Sequence, residues 1–223
     1  RLGLAARLGP MKTLQHTSAS VPAQGDLSAR FLSFVDDPAF PCVGSKAALA
    51  RDAIETHEFG RLGNRGNDAP LLDALGRFGA RIDAAGDDDS TVRSCVALFE
   101  GPQDTDERRF EAMLWSQLQR LHELDVRRGR AWVAGVSRDP DDPRFSLSLA
   151  GHPYFVIGLH PGASRLARRF AWPALVFNSH RQFDRLRADG RYAKMQAATR
   201  ARDMALQGSL NPNLADFGTA PET

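Results

Sequence analysis

The strongest constraint on the fold of this chain is a run of six apolar residues, Tyr154-Phe155-Val156-Ile157-Gly158-Leu159. It is far too short to cross a membrane, which takes about 20 apolar residues in a helix. Its aromatic and β-branched content reads instead as a central strand buried on both faces, and such a strand needs neighbours to pair with and helices to cover it. Residues 92–99, closed by Glu100-Gly101-Pro102, and residues 174–178 are β-rich in the same way. Phe145-Ser146-Leu147-Ser148-Leu149 alternates as a half-exposed strand does, just after the surface turn Pro140-Asp141-Asp142-Pro143.

Helical spacing dominates the first half. Leu27, Phe31, Phe34 and Val35 share a face, and Asp36-Asp37-Pro38 stops that helix. Phe40-Pro41-Cys42-Val43-Gly44 is a tight connector, after which Ser45 is placed to cap a helix running through Ala47, Ala48, Leu49 and Ile54. Residues 60–67 carry loop chemistry, Leu71, Leu72, Leu75 and Phe78 mark another helix, and residues 84–90 form an acidic turn. The clearest helix covers about 106–126, with Phe110, Leu114, Leu118 and Leu121 on one stripe. Residues 180–187 and 192–206 read as two more, parted near Gly190. The sum is an α+β fold: helices first, then four or five mostly antiparallel strands covered by helices on at least one face. Residues 1–25 lack periodicity and read as a tail or extension, leaving 26–223 as a single domain.

A chain of 223 residues buries a core without staples. Its two cysteines, Cys42 and Cys95, lie in unlike contexts with neither disulfide nor zinc spacing, which suits a reducing cytoplasm. No signal-peptide core is evident in residues 1–10, so neither export nor a membrane partner is expected. The net charge of +2 conceals an asymmetry: residues 160–205 hold nine Arg and one Lys against three Asp, a local +7, so the remainder stands at −5. Such a block invites nucleic acid, but few aromatics are placed for stacking, and a nucleic-acid partner is not expected. Only three of the 29 basic residues are lysines, and arginine suits fork-like recognition of carboxylates.

Of six histidines, His16 and His57 sit in polar context, and His122 flanks the long helix beside Trp115 and Leu118. His152 precedes Pro153 in what reads as a turn. His160 ends the apolar run and enters Pro161-Gly162-Ala163-Ser164-Arg165, a turn leading into a helix. His180 stands in the same position after the following strand, within Asn178-Ser179-His180. If the two strands run in the same direction, both imidazoles open on one sheet edge, and either can equally be a structural histidine bonded to a loop carbonyl. G-x-S-x-G, H-E-x-x-H, Walker and G-x-G-x-x-G motifs are all lacking. A histidine beside an apolar strand, with Arg165, Arg168 and Arg169 one turn away, has the makings of a heme site, which needs an axial ligand, an apolar slot and cations for two propionates. The same arginines also read as a solvated helix face.

The block His160-Pro161-Gly162-Ala163-Ser164-Arg165-Leu166-Ala167-Arg168-Arg169-Phe170 resembles the HPxxSRxxRRF block of YqcI/YcgG-type proteins. The similarity continues through residues 173–178, His180, Gln182-Phe183, Gly190-Arg191-Tyr192, Arg202-Asp203 and Asn211-Pro212-Asn213, and includes Phe40-Pro41-Cys42-Val43. The family includes heme-dependent enzymes that N-hydroxylate guanidino groups. The resemblance therefore implies a monooxygenase using heme b (iron protoporphyrin IX), O₂ and an external electron donor or redox partner protein. Its substrate would be L-arginine or a related guanidine, its product the Nω-hydroxy compound, and its setting antibiotic or other secondary-metabolite biosynthesis. It implies His160 as the metal ligand, with His180 as second choice or as a distal catalytic group. Cys42 is a third candidate, since thiolate donation favours O–O cleavage. Arg165, Arg168, Arg169 and Ser164 are expected at the cofactor, and Asp203, Asp216 and Asn178 at the substrate; Asp203 can instead pair with Arg200 or Arg202, and Asp216 can cap a turn. Without turnover the same site would make a heme carrier or sensor. The oligomeric state is left open, a homodimer included.

Overall fold

A computed structural model describes residues 26–86, 89–142 and 144–209. Among the described residues, six helices pack on one open sheet of five strands. The elements are α1 (Leu27–Asp36), α2 (Val43–Leu49), β1 (Ile54–Phe59), α3 (Asp68–Ala84), β2 (Ser94–Phe99), α4 (Glu107–Arg127), β3 (Leu147–Leu149), β4 (His152–Leu159), β5 (Ala174–Ser179), α5 (His180–Ala188) and α6 (Arg191–Gln207). The strand order is β1-β2-β5-β4-β3, with only the β1–β2 pair parallel. The α+β class and the mostly antiparallel sheet are as the sequence implies, and helices cover both faces.

Several local readings are corrected. The helix expected to run through Ile54 stops at Leu49, and Ile54 opens β1, an edge strand in parallel register with β2. The chain turns between them through Asp52 in the left-handed region at φ 52°. Cys42 caps α2 in place of Ser45, its sulfur accepting the Ser45 N–H. β3 is short and buried on every residue, because α3 and α4 cover it. β4 is next to the edge strand and β5 is central. His152 is no loop residue: it starts β4 immediately after a tight hairpin whose central residues, Ala150 and Gly151, both have positive φ (52° and 79°). Buried Asp125 of α4 accepts the Ala150 N–H at 2.8 Å and pins that turn.

Alternation along the strands divides the core in two. Cys95, Ala97, Phe99, Tyr154, Leu175 and Phe177 face α3 and α4, meeting Leu75, Phe78, Phe110 and Leu121 in the larger cluster. The fit is close enough that glycine is obligatory at two contacts. A Cβ on Gly158 would lie 2.5 Å from the Phe110 ring, and one on Gly79 would lie 2.8 Å from both His152 Cβ and the Tyr154 hydroxyl. Val96, Leu98, Leu159 and Ala174 face the other way, onto Phe31 and Val35 of α1 and onto Phe170.

His152 ties the layers together. It is 2% exposed, its Nε2 lies 2.7 Å from Ser179 Oγ at the end of β5, and its Nδ1 lies 3.4 Å from Asp83 of α3. Burial disfavours the imidazolium and pushes its pKa down from 6.5 to about 4, against the opposing pull of Asp83. The unfolded chain therefore takes up this proton first as pH falls. Stability should be complete above about pH 6.5 and should decline towards pH 4 by about 3 kcal/mol from this residue alone. His57, His160 and His180, also lowered by burial, act in the same direction. Urea midpoints measured across that range should fall with acidification, and His152→Gln should flatten the slope; an unchanged slope would contradict this role.

Candidate functional site

The second face of the sheet is not completely filled. Between it and α1, α2 and α6 lies a cavity of about 220 Å³. Its floor is apolar, made by Val96, Ile157, Leu159 and Val176, with Ser94 and Asn178 as polar exceptions, and Phe31 and Val35 of α1 close one side. One stripe of α6 forms the opposite wall: Tyr192, Met195, Gln196, Thr199, Arg200 and Asp203, spaced 3, 4, 7, 8 and 11 residues from the first. That spacing is one helical face.

Cys42 sits between floor and wall. The fixed φ of Pro41 precedes it, and its half-buried side chain takes the N-cap position of α2, where Sγ accepts the Ser45 N–H at 3.4 Å. The next residue, Val43, donates its N–H to Thr199 Oγ1 at 3.2 Å, joining α2 to α6. Gly44 permits the approach, since a Cβ there would lie 3.1 Å from Met195 Sδ.

Charge gathers towards the Leu159 end of the cavity. Asp203 is 3% exposed and is the single carboxylate lining the cavity among the described residues. It pairs with Arg165, not with Arg200 or Arg202, and the Arg165 guanidinium also donates to Ser209 Oγ at 3.0 Å and the Ser209 carbonyl at 2.9 Å. Arg202 instead donates to the carbonyls of Pro38 and Phe40. Arg168 and Arg200 also line the cavity.

The expected site residues thus separate into two sets. Cys42, Arg165, Arg168, Asn178 and Asp203 meet around the cavity. Ser164, Arg169, His160 and His180 do not line it. Ser164 donates from its N–H and hydroxyl to Glu107 of α4, which lowers the Glu107 pKa, and Arg169 donates to the carbonyls of Ala163 and Ser164. His160 is 4% exposed and stacks on Phe110, with centroids 4.4 Å apart, under the larger core; burial lowers its pKa, partly offset by Glu107. Its turn needs Gly162, whose missing Cβ leaves room for the Thr105 carbonyl. Only one 3₁₀ turn, Leu166–Arg168, follows in place of a longer helix. His180 stacks on Phe155 at 5.0 Å, with Nε2 3.2 Å from Asp184. Because β4 and β5 are antiparallel, with Leu159 opposite Ala174 and Tyr154 opposite Ser179, the two imidazoles lie at opposite ends of the sheet. Asp216 falls outside the described residues.

The sequence reading missed Ser94, Tyr192, Met195, Gln196 and Thr199. The i, i+3, i+4 recurrence on α6 was the available signal, but its mixed polarity resembles a solvated face, and Asp203 is the single buried residue of that helix. Elsewhere in the basic block the arginines find local partners: Arg181 with Asp83, Arg185 with the Gly86 carbonyl, Arg191 with Asp189. Among the described residues no three His, Cys, Asp or Glu side chains converge as a metal cluster, and no helix is long and apolar enough to cross a membrane.

Fold and cavity together define a single-domain α+β protein with a largely apolar cavity that has a thiol and arginines at its edge. The chain belongs to the YqcI/YcgG family, whose model matches residues 31–223. Comparisons with curated proteins and with solved structures found no significant match.

Removing one partner of a buried ion pair leaves the other charge uncompensated. Arg165→Met should therefore lower unfolding stability in urea by about 3 kcal/mol, and adding Asp203→Asn should restore part of the loss. An additive double variant would contradict the pairing.

Proposed function

We propose that this chain is a heme-dependent monooxygenase that N-hydroxylates the guanidino group of L-arginine or a related guanidine, in the cytoplasm and in secondary-metabolite biosynthesis. The observation that carries the reading is the composition of the cavity: apolar walls, a thiol whose sulfur already accepts a backbone N–H, and arginine side chains at its edge. That set matches the needs of a flat apolar group with two carboxylates and an open coordination position. The family resemblance carried by the His160–Phe170 block and the Phe40–Val43 segment supports the same chemistry.

Bound heme supplies the O₂ and electron chemistry, with reducing equivalents from an external donor. The protein's part is to bind, orient and keep water out. Cys42 is the ligand the cavity offers, its sulfur held at the start of α2 by the Ser45 N–H. Arg168 and Arg165, which line the cavity, would hold the propionates. Asp203 would take a substrate guanidinium, which carries the same planar fork as Arg165 and can exchange with it. At about 220 Å³ the space is smaller than the roughly 300–1,000 Å³ of ligand pockets. A macrocycle therefore requires the α6 wall to move outward, and the shallow burial of α6 permits it.

The test uses purified protein with heme, O₂ and a reductant. Nω-hydroxyarginine should form. Cys42→Ser should lose both heme and turnover, whereas folded His160→Ala should keep its heme. Heme retained without any hydroxylated product would make the chain a carrier, and heme lost only in His160→Ala would remove Cys42 from the ligand role.

A further inference from the structure

We infer that Asn178, held by Ser94, reads the α-carboxylate of an amino-acid substrate and so sets which way the substrate lies in the cavity. The inference rests on the substrate reading proposed above. Asn178 is 8% exposed and lines the cavity from the central strand β5. Its Oδ1 accepts the Ser94 hydroxyl at 2.7 Å, a contact buried between paired residues of β2 and β5. Its Nδ2 makes no hydrogen bond among the described residues and is left to donate to a ligand in the cavity.

The chemistry of the vacant partner follows from donor counting. Nδ2 only donates, and a guanidinium also only donates, so the guanidine end of the substrate gains nothing from Nδ2, whereas a carboxylate accepts from it. A further feature favours an anion there: Asn178 immediately precedes Ser179, the N-cap of the nine-residue helix α5, so it sits at the positive end of that helix.

Direction follows from the register. Asn178 pairs with Phe155 near the start of β4, whereas Arg165, the partner of Asp203, comes after Leu159, which pairs with Ala174. Four residues of strand separate the two positions, roughly 13 Å at 3.3 Å per residue. The donor end of the cavity and its acidic end are thus different places. The substrate lies with its carboxylate towards Asn178 and its guanidinium towards Asp203.

Calorimetric titration of the purified protein, with its heme content recorded from the absorption spectrum, compares L-arginine with agmatine, which lacks the carboxylate. Wild type should prefer L-arginine by roughly tenfold to a hundredfold, the range of a charge-assisted hydrogen bond. Asn178→Leu should bring that ratio close to one with agmatine affinity little changed. Asn178→Asp, nearly isosteric and still able to accept from Ser94, should reverse the preference by repelling the carboxylate. Equal binding of both ligands by wild type, no binding of either, or a preference that survives in folded variants would overturn the inference. Heme-free protein that still shows the Asn178-dependent preference would remove the heme reading and leave this one standing; heme-loaded protein that turns over with an Asn178-independent preference would do the reverse.

Discussion

The central placement of β5, hydrogen-bonded to antiparallel neighbours on both sides, decides where chemistry can occur in this fold. Antiparallel pairing sends the C-terminal ends of β4 and β5 in opposite directions. The two strand-ending histidines that look equivalent along the chain are thereby parted by the length of the sheet. Each then finds its own aromatic neighbour, His160 on Phe110 and His180 on Phe155. What the same pairing does bring together, on one face, is Ser94 with Asn178 and the apolar floor from Val96 to Leu159.

The two faces of the sheet are packed for different ends. Under α3 and α4 the interior is filled to the point that Gly79 and Gly158 admit no extra carbon. Under α1, α2 and α6 a space is left, and its far wall is a helix that buries little of itself. A filled face supplies most of the cohesion, and the other can carry an opening without loss of the fold. That division explains why the arginine-rich segment does more than one job. Most of its guanidinium groups close loops and helix ends through carbonyls and carboxylates, while Arg165, Arg168 and Arg200 reach the cavity.

Much of the fold was legible in the sequence, because α1, α3 and α4 have strong apolar periodicity and β2, β4 and β5 are short apolar runs. β1 was not, since Ile54-Glu55-Thr56-His57-Glu58-Phe59 is an edge strand whose half-exposed pattern looked like the tail of α2. The site was legible in part. Cys42, Arg165, Arg168, Asn178 and Asp203 stand out by residue type, and they do meet. The weight given to His160 came from its place at a strand end, which says nothing about the direction of the neighbouring strand or about which face the ring joins. The Asp203 partner was equally hidden, because Arg165 is 38 residues away in sequence while Arg200 and Arg202 are adjacent.

We propose the cavity against α6, with Cys42 at its edge, as the place where a heme would be held. Magnetic circular dichroism of the heme-loaded ferric protein tests it most directly, because thiolate and imidazole ligation give different signatures. The expected result is a thiolate signature that disappears in Cys42→Ser and is unchanged in folded His160→Ala. An imidazole signature that persists in Cys42→Ser would contradict it.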